Sequence, residues 1–155
     1  MRQSLTYVRE YHRYDRPQIR RMLYFLPDLY PGAAEWLENR LEDVDRERAY
    51  CSVVSQGGWV RGVLLETPKG RRRSKISTLF IEPQMVGLGL GAKLIERHRK
   101  RWLQYELESI TITVPKSRIR HTGLFLVKHG FRHETLLFDH YGHGRDEAIY
   151  SLTLN

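Results

Sequence analysis

Three glycines at alternate positions, Gly87, Gly89 and Gly91, follow the apolar run Leu79-Phe80-Ile81 and open a segment with helical periodicity. The chemistry this spacing can do is anion binding. Glycine lets successive backbone N–H groups point into one concavity without side-chain obstruction. The helix N-terminus adds about half a positive charge at the same place. Two common phosphate loops do not fit. A Walker A loop needs GxxxxGK followed by Ser or Thr. A dinucleotide fingerprint needs its third glycine one residue later and normally sits at the first strand of its unit, whereas this loop follows a fourth.

The charge around the loop agrees with an anionic partner. The 155 residues carry 26 Lys plus Arg against 18 Asp plus Glu, a net charge of +8. Residues 69–132 hold 15 of the basic residues against four acids, Glu82, Glu96, Glu106 and Glu108. Nucleic acid and a phosphate-rich cofactor both suit such a segment. The single cysteine, Cys51, excludes an intramolecular disulfide and a multi-cysteine zinc site, and its β-prone surroundings read as core. His140 and His143 flank Tyr141 and Gly142 with no cysteine near, so no metal is expected. No apolar run reaches the roughly 18 residues of a membrane helix, and Met1-Arg2-Gln3-Ser4 lacks the apolar stretch of a signal peptide. A cytoplasmic protein with one domain over residues 1–155 is expected.

The elements that must position the loop follow from periodicity. Thr6 to His12 alternates as a strand. Asp15 and Pro17 start a helix whose apolar face is Ile19, Met22, Leu23 and Leu26, and Pro27, Pro31 and Gly32 break the chain after it. Trp36, Leu37, Leu41 and Val44 mark a second helix. Ala49–Ser55 and Trp59–Leu65 read as a hairpin around Gln56-Gly57-Gly58. Thr67–Arg73 is a polar loop and Lys75–Glu82 a strong strand. A helix over Gly89–Tyr105, a strand over Ser109–Val114 and a helix from Arg118 to His129 ending at Gly130 follow. Phe131–Asp139 and Ala148–Leu154 are the last two strands. The order β-α-α-β-β-β-α-β-α-β-β predicts a mixed sheet with helices on both faces.

Leu79-x-Ile81, Pro83, Gly87, Gly89 and Gly91, with Leu90, Leu94 and Ile95 on the helix, resemble the signature of the GNAT superfamily of acetyl-CoA-dependent N-acetyltransferases. Leu124-Phe125-Leu126-Val127-Lys128-His129-Gly130-Phe131 resembles its second landmark, a helix followed by Gly-Phe and a strand. The resemblance covers most of the chain. It implies an α/β (α+β) fold with a mixed, mostly antiparallel sheet of about seven strands, and one acyltransferase domain. The first position of the glycine motif, usually Arg or Gln, is Val86 here, which removes one side-chain contact and leaves the backbone cradle intact.

The resemblance implies acetyl-CoA as co-substrate and no metal. The fourth and fifth strands are expected to splay, with pantetheine paired to the main chain of Leu79, Phe80 and Ile81. Val86, Gly87, Leu88, Gly89, Leu90, Gly91 and Ala92 would hold the pyrophosphate. Arg71–Arg73 and Arg97, Arg99, Lys100 and Arg101 are candidates for a 3′-phosphate or an acidic partner. The reaction would be direct attack of a neutral amine on the thioester in a ternary complex, which needs a base for the amine proton and an acid for the leaving thiolate. A Tyr four residues before the Gly of Gly-Phe often serves as that acid, and Leu126 stands there. The Asn often found near the start of this helix is missing too, with Ile119 and Arg120 in its place. Substitutes are His121 in the first turns of the same helix, Tyr141 and Glu147 by the final hairpin loop, and Glu66 at the end of the third strand.

The leading expectation is acetyl transfer to an amine of a protein, a small molecule or an aminoacyl-tRNA, with an acidic protein or tRNA as partner, no membrane, and a homodimer left open. The alternative is a catalytically weak or inactive GNAT-fold module that binds CoA or RNA. A third reading is nucleic-acid binding without a cofactor.

Overall fold

The computed structural model describes residues 5–154, so the reading of Met1–Ser4 lies outside the described residues. The first strand, β1, is Thr6–Glu10. A short turn then leads into α1 (Arg16–Met22), which has Pro17 in its first turn, where no helical N–H is required. Pro27 does not break the chain as its sequence predicts. It occupies the first turn of a further short helix, α2 (Leu26–Leu29), ahead of α3 (Ala33–Asp45). The paired strands β2 (Tyr50–Gln56) and β3 (Trp59–Pro68) close through Gly57-Gly58, both at positive φ as the tight hairpin turn demands.

The polar loop expected over Thr67–Arg73 is shorter than its composition implies. Thr67 and Pro68 still pair with β4 (Arg73–Ile81). The helix after the glycine loop is α4 (Leu90–Gln104), and Leu90, Leu94, Ile95, His98 and Trp102 are buried along one face of it. In β5 (Ser109–Pro115), Ile110, Ile112 and Val114 alternate inward. The helix predicted from Arg118 to His129 divides into a π-helical turn, Ile119–Gly123, and a regular helix, α5 (Leu124–Lys128). A Cβ at Gly123 would overlap the Tyr150 hydroxyl, so close approach of the sheet selects glycine there. The last strands are β6 (Arg132–Leu137) and β7 (Glu147–Thr153).

The seven strands form one sheet in the order β1-β2-β3-β4-β5-β7-β6. Every pair is antiparallel except β4 with β5. One apolar cluster lies between the sheet and α4 with α5, including Ile76, Leu94, Trp102, Ile110 and Leu126. The other lies under α1 to α3, including Ile19, Leu41, Val53, Val63 and Leu65. Helices therefore cover both faces, in agreement with the mixed, mostly antiparallel sheet of seven strands expected from the sequence.

The parallel pair is short, and the sheet opens beyond it. β4 pairs with β5 only from Arg73 with Ser109 to Ile76 with Ile112. Just beyond, Leu65 of β3 opposes Thr78 while Glu66 opposes Ile76, so Ser77 is an extra, bulged residue. A bulge bends its strand and increases the local twist. β4 turns away from β5, and the edges of Ser77–Ile81 and Thr113–Pro115 that would have faced each other are left without strand partners among the described residues.

Candidate active site

The glycine loop lies at the outer end of the diverging β4. Gly87 and Gly89 have φ of +88° and +75°, in the left-handed region that side chains disfavour. The first turn of α4 closes with the Lys93 N–H donating to the Gly89 carbonyl, so the amides ahead of it have no helical acceptor. Gly91 serves packing: a Cβ there would come within 3.1 Å of the Phe125 ring on α5. The groove between these helices has a volume of about 580 Å³. Leu79, Phe80, Ile81, Val86, Gly87, Gly89, Leu90, Gly91 and Ala92 line it, joined by Arg118, His121 and Thr122. Leu88 is exposed and outside that lining.

The groove adjoins the gap between β4 and β5. The gap is a cavity of about 200 Å³, and it shares Leu79, Phe80, Arg118 and Thr122 with the groove. A third cavity, of about 240 Å³, opens among α2, α3, β4 and the β6–β7 loop, and it shares Leu26, Tyr30, Ile76, Ser77, Thr78 and Thr113 with the gap. Three cavities thus adjoin past the point where the sheet splits, from the glycine loop on the α4 side to an aromatic chamber beside α3.

Glu147 stands in the wall of that chamber at 3% exposure. The Tyr30 hydroxyl donates to its Oε1 at 3.2 Å, and its Oε2 is buried with no hydrogen-bond partner among the described residues. Burial pushes its carboxyl pKa above the ordinary range, against the opposing pull of Tyr30 and Lys75. Burial and the nearby Glu147 charge likewise raise the Tyr30 and Tyr141 phenols, whose rings meet edge to face at 4.8 Å.

The four candidate catalytic residues therefore separate in space. Tyr141 and Glu147 share the aromatic chamber. His121 is exposed in the glycine-loop groove, on the α4 side. Glu66 reaches none of the three cavities. It is fully buried in the core, where its carboxylate accepts from Trp102 Nε1 at 2.7 Å, His98 Nδ1 at 2.8 Å and Ser74 Oγ at 2.6 Å, and also from Arg101. His98 Nε2 in turn meets Ser52 Oγ at 2.9 Å. Burial depresses the pKa of His98, so it is neutral, with one nitrogen donating and one accepting. The set satisfies itself and offers no free lone pair to a substrate. Leu126, at the position of the usual acid, is a core residue with 0% exposure. Cys51 is buried and unpaired, and desolvation raises its thiol pKa, which suits core rather than nucleophile.

The basic candidates also redistribute. Arg71–Arg73 lie at the opposite end of β4 from the glycine loop, roughly 26 Å along the strand. Arg72 pairs with Glu108, Arg99 with Glu96 and the His129 carbonyl, and Arg101 with Glu66. The guanidinium at the junction of groove and gap is Arg118, which sequence reasoning passed over. Its only sequence signal is its place just after the strand-ending Pro115. Tyr30 was missed as well, and nothing local in the sequence marks it.

No family model matches this sequence, and no curated protein matches it significantly. Solved structures match the fold closely. Ard1 from Thermoplasma volcanium superposes with a TM-score of 0.81 at 17% identity, covering 97% of this chain and 98% of that one. A structure from Desulfovibrio desulfuricans assigned to the GNAT family of acetyltransferases gives 0.79 at 17% identity, with 96% and 99% covered. An aminoglycoside 6'-N-acetyltransferase complexed with coenzyme A gives 0.77 at 14% identity, with 95% and 96% covered. The chain has the GNAT fold.

Proposed function

We propose that the chain is a member of the GNAT superfamily, a single acyltransferase domain that moves an acetyl group from acetyl-CoA to an amine. One observation carries the reading: the glycine groove, the β4–β5 gap and the aromatic chamber adjoin one another where the sheet opens, with lining residues in common between each neighbouring pair. A phosphorylated carrier with a long thioester arm fits that path. The CoA bound to the aminoglycoside acetyltransferase of the same fold supports the choice of carrier.

The residues present fit acetyl-CoA. The amides at the start of α4, with Gly87, Gly89 and Gly91, hold the pyrophosphate. The unpaired edge of β4 beyond Ile76 offers main-chain groups to the pantetheine amides, much as an added strand would use them. Acetyl-CoA supplies an acyl group activated as a thioester. A β4 N–H polarises its carbonyl. Glu147 takes the proton that the amine loses as the N–C bond forms and the C–S bond breaks. Arg118 and Thr122, which line the gap, stabilise the negative charge on the departing sulfur until it gains a proton. Tyr141 and Tyr30 set the position and solvation of Glu147. His121 and Glu66 have no part in proton transfer.

A second reading, a CoA-binding module without turnover, rests on Leu126, a core residue where the usual acid would stand. Thermal shift with CoA and thiol release from acetyl-CoA over a panel of amines separate the two. Turnover with any amine supports the enzyme. Tight CoA binding with no thiol release supports the module. If neither CoA nor acetyl-CoA raises Tm, both readings fail.

A further inference from the structure

The aromatic chamber contains more charge than recognition of a plain amine requires. Lys69, Lys75 and Arg40 line it together with Glu147. Arg40 is matched by Asp43 at 3.0 Å. The two lysines are not matched in this way among the described residues: burial and the neighbouring Lys69 both lower the pKa of Lys75, with only Glu147 acting the other way. Lys75 is partly buried and Lys69 is exposed at the edge of the same chamber; their like charges repel, and an anion placed between them offsets that repulsion and the desolvation of Lys75. The opposite deficit lies at Glu147, whose buried Oε2 lacks any donor among the described residues. A buried acceptor without a donor is costly, and a bound N–H group satisfies it. The faces of Tyr30, Tyr141 and Trp36 add a surface suited to a cationic amine.

We infer that the acceptor is a small amine bearing its own anionic group, a carboxylate or a phosphate, with its nitrogen at Glu147 and its anion at Lys75 and Lys69. The inference rests on the acetyltransferase reading of the three cavities. Size favours a free small molecule over a macromolecule: about 240 Å³ is the liquid volume of about eight waters.

The test uses matched amines that differ by one anionic group: lysine against cadaverine, phenylalanine against phenethylamine, phosphoethanolamine against ethanolamine, and a short peptide with a free N-terminus. Thiol release from acetyl-CoA is followed for each. The anionic member of at least one pair should show a kcat/KM at least tenfold higher, and the carboxylate and phosphate pairs identify which anion is meant. Lys75→Gln combined with Lys69→Gln should compress that ratio at least fivefold, mainly through KM, while Lys75→Arg retains it. The ratio is internal to each variant and does not depend on the folded fraction. In parallel, with CoA present, the anionic member should raise Tm and its partner should not, a readout that needs no turnover. Equal use and equal binding of both members of every pair, a ratio unmoved in the double variant, or preference for the peptide overturns the inference. If thiol is still released from acetyl-CoA in those cases, the acetyltransferase reading stands without it; if acetyl-CoA raises Tm and no amine releases thiol, the binding module replaces it. If acetyl-CoA does not bind at all, both fall.

Discussion

Replacing Glu147 with Gln separates chemistry from stability more cleanly than any other single change. The side chain keeps its shape, and its amide oxygen can still accept from the Tyr30 hydroxyl, the 3.2 Å contact that holds Oε1. What is lost is the base. A positioned general base contributes about 10²- to 10⁴-fold, or about 3–5 kcal/mol of activation free energy, so kcat/KM should fall by that factor. The pH profile gives a second reading. Burial raises the Glu147 pKa, so the parent enzyme loses activity as pH falls through that raised value, and the variant should lack this limb. Stability moves the other way. With the folded pKa above the unfolded one, the stability this group contributes is fully present below the unfolded pKa and is lost as pH rises through the folded value. At neutral pH the parent thus bears the cost of a buried carboxylate with one unpartnered oxygen. The substituted amide carries no charge, so the variant should gain on the order of 1 kcal/mol, about 2–4 °C in Tm, with the difference vanishing below the ordinary Glu range. Thiol-release kinetics from about pH 5 to 9 and a melting series from about pH 3 to 9 check both halves. A variant within threefold of the parent and still showing the low-pH limb refutes the assignment of the base. A large fall in Tm at neutral pH refutes the electrostatic argument.

Three further outcomes follow from the same geometry. Gly89→Val places a β-branched residue at φ +75°, at a cost of about 1–2 kcal/mol; CoA affinity by calorimetry should fall at least tenfold, and an unchanged Kd refutes the backbone cradle. Arg118→Ala should lower kcat by about tenfold or more if the guanidinium faces the leaving sulfur; a change confined to KM assigns Arg118 to cofactor binding alone. Glu66→Gln breaks a buried carboxylate held by four donors and should cost about 3–5 kcal/mol, roughly 10 °C in Tm, without altering the pH dependence of the surviving activity; a shifted pH profile returns Glu66 to the list of bases.

The sequence by itself determined the glycine-loop end of the candidate site. A buried strand, a run of alternating glycines and an amphipathic helix are contiguous in the chain, and each is set by local rules of backbone freedom and periodicity. The element order followed for the same reason, apart from the short helix at Pro27 and the π-helical turn at Ile119–Gly123. The acceptor end is not contiguous. Tyr30 and Glu147 are 117 residues apart, and only the sheet and the α2–α3 segment bring them within hydrogen-bond reach. Glu66 and Glu147 read alike as acids at strand ends. Only the tertiary structure gives them different surroundings: Trp102, His98, Ser74 and Arg101 converge on the Glu66 carboxylate and saturate it, while Glu147 keeps an oxygen without a donor among the described residues. Ser77 reads as one more strand residue until its register against β3 reveals the bulge that parts β4 from β5. Periodicity and turn chemistry act over a few residues, so they fix the elements. Where a carboxylate finds its donors, and where a sheet opens, depends on groups far apart in the chain, and only packing sets that.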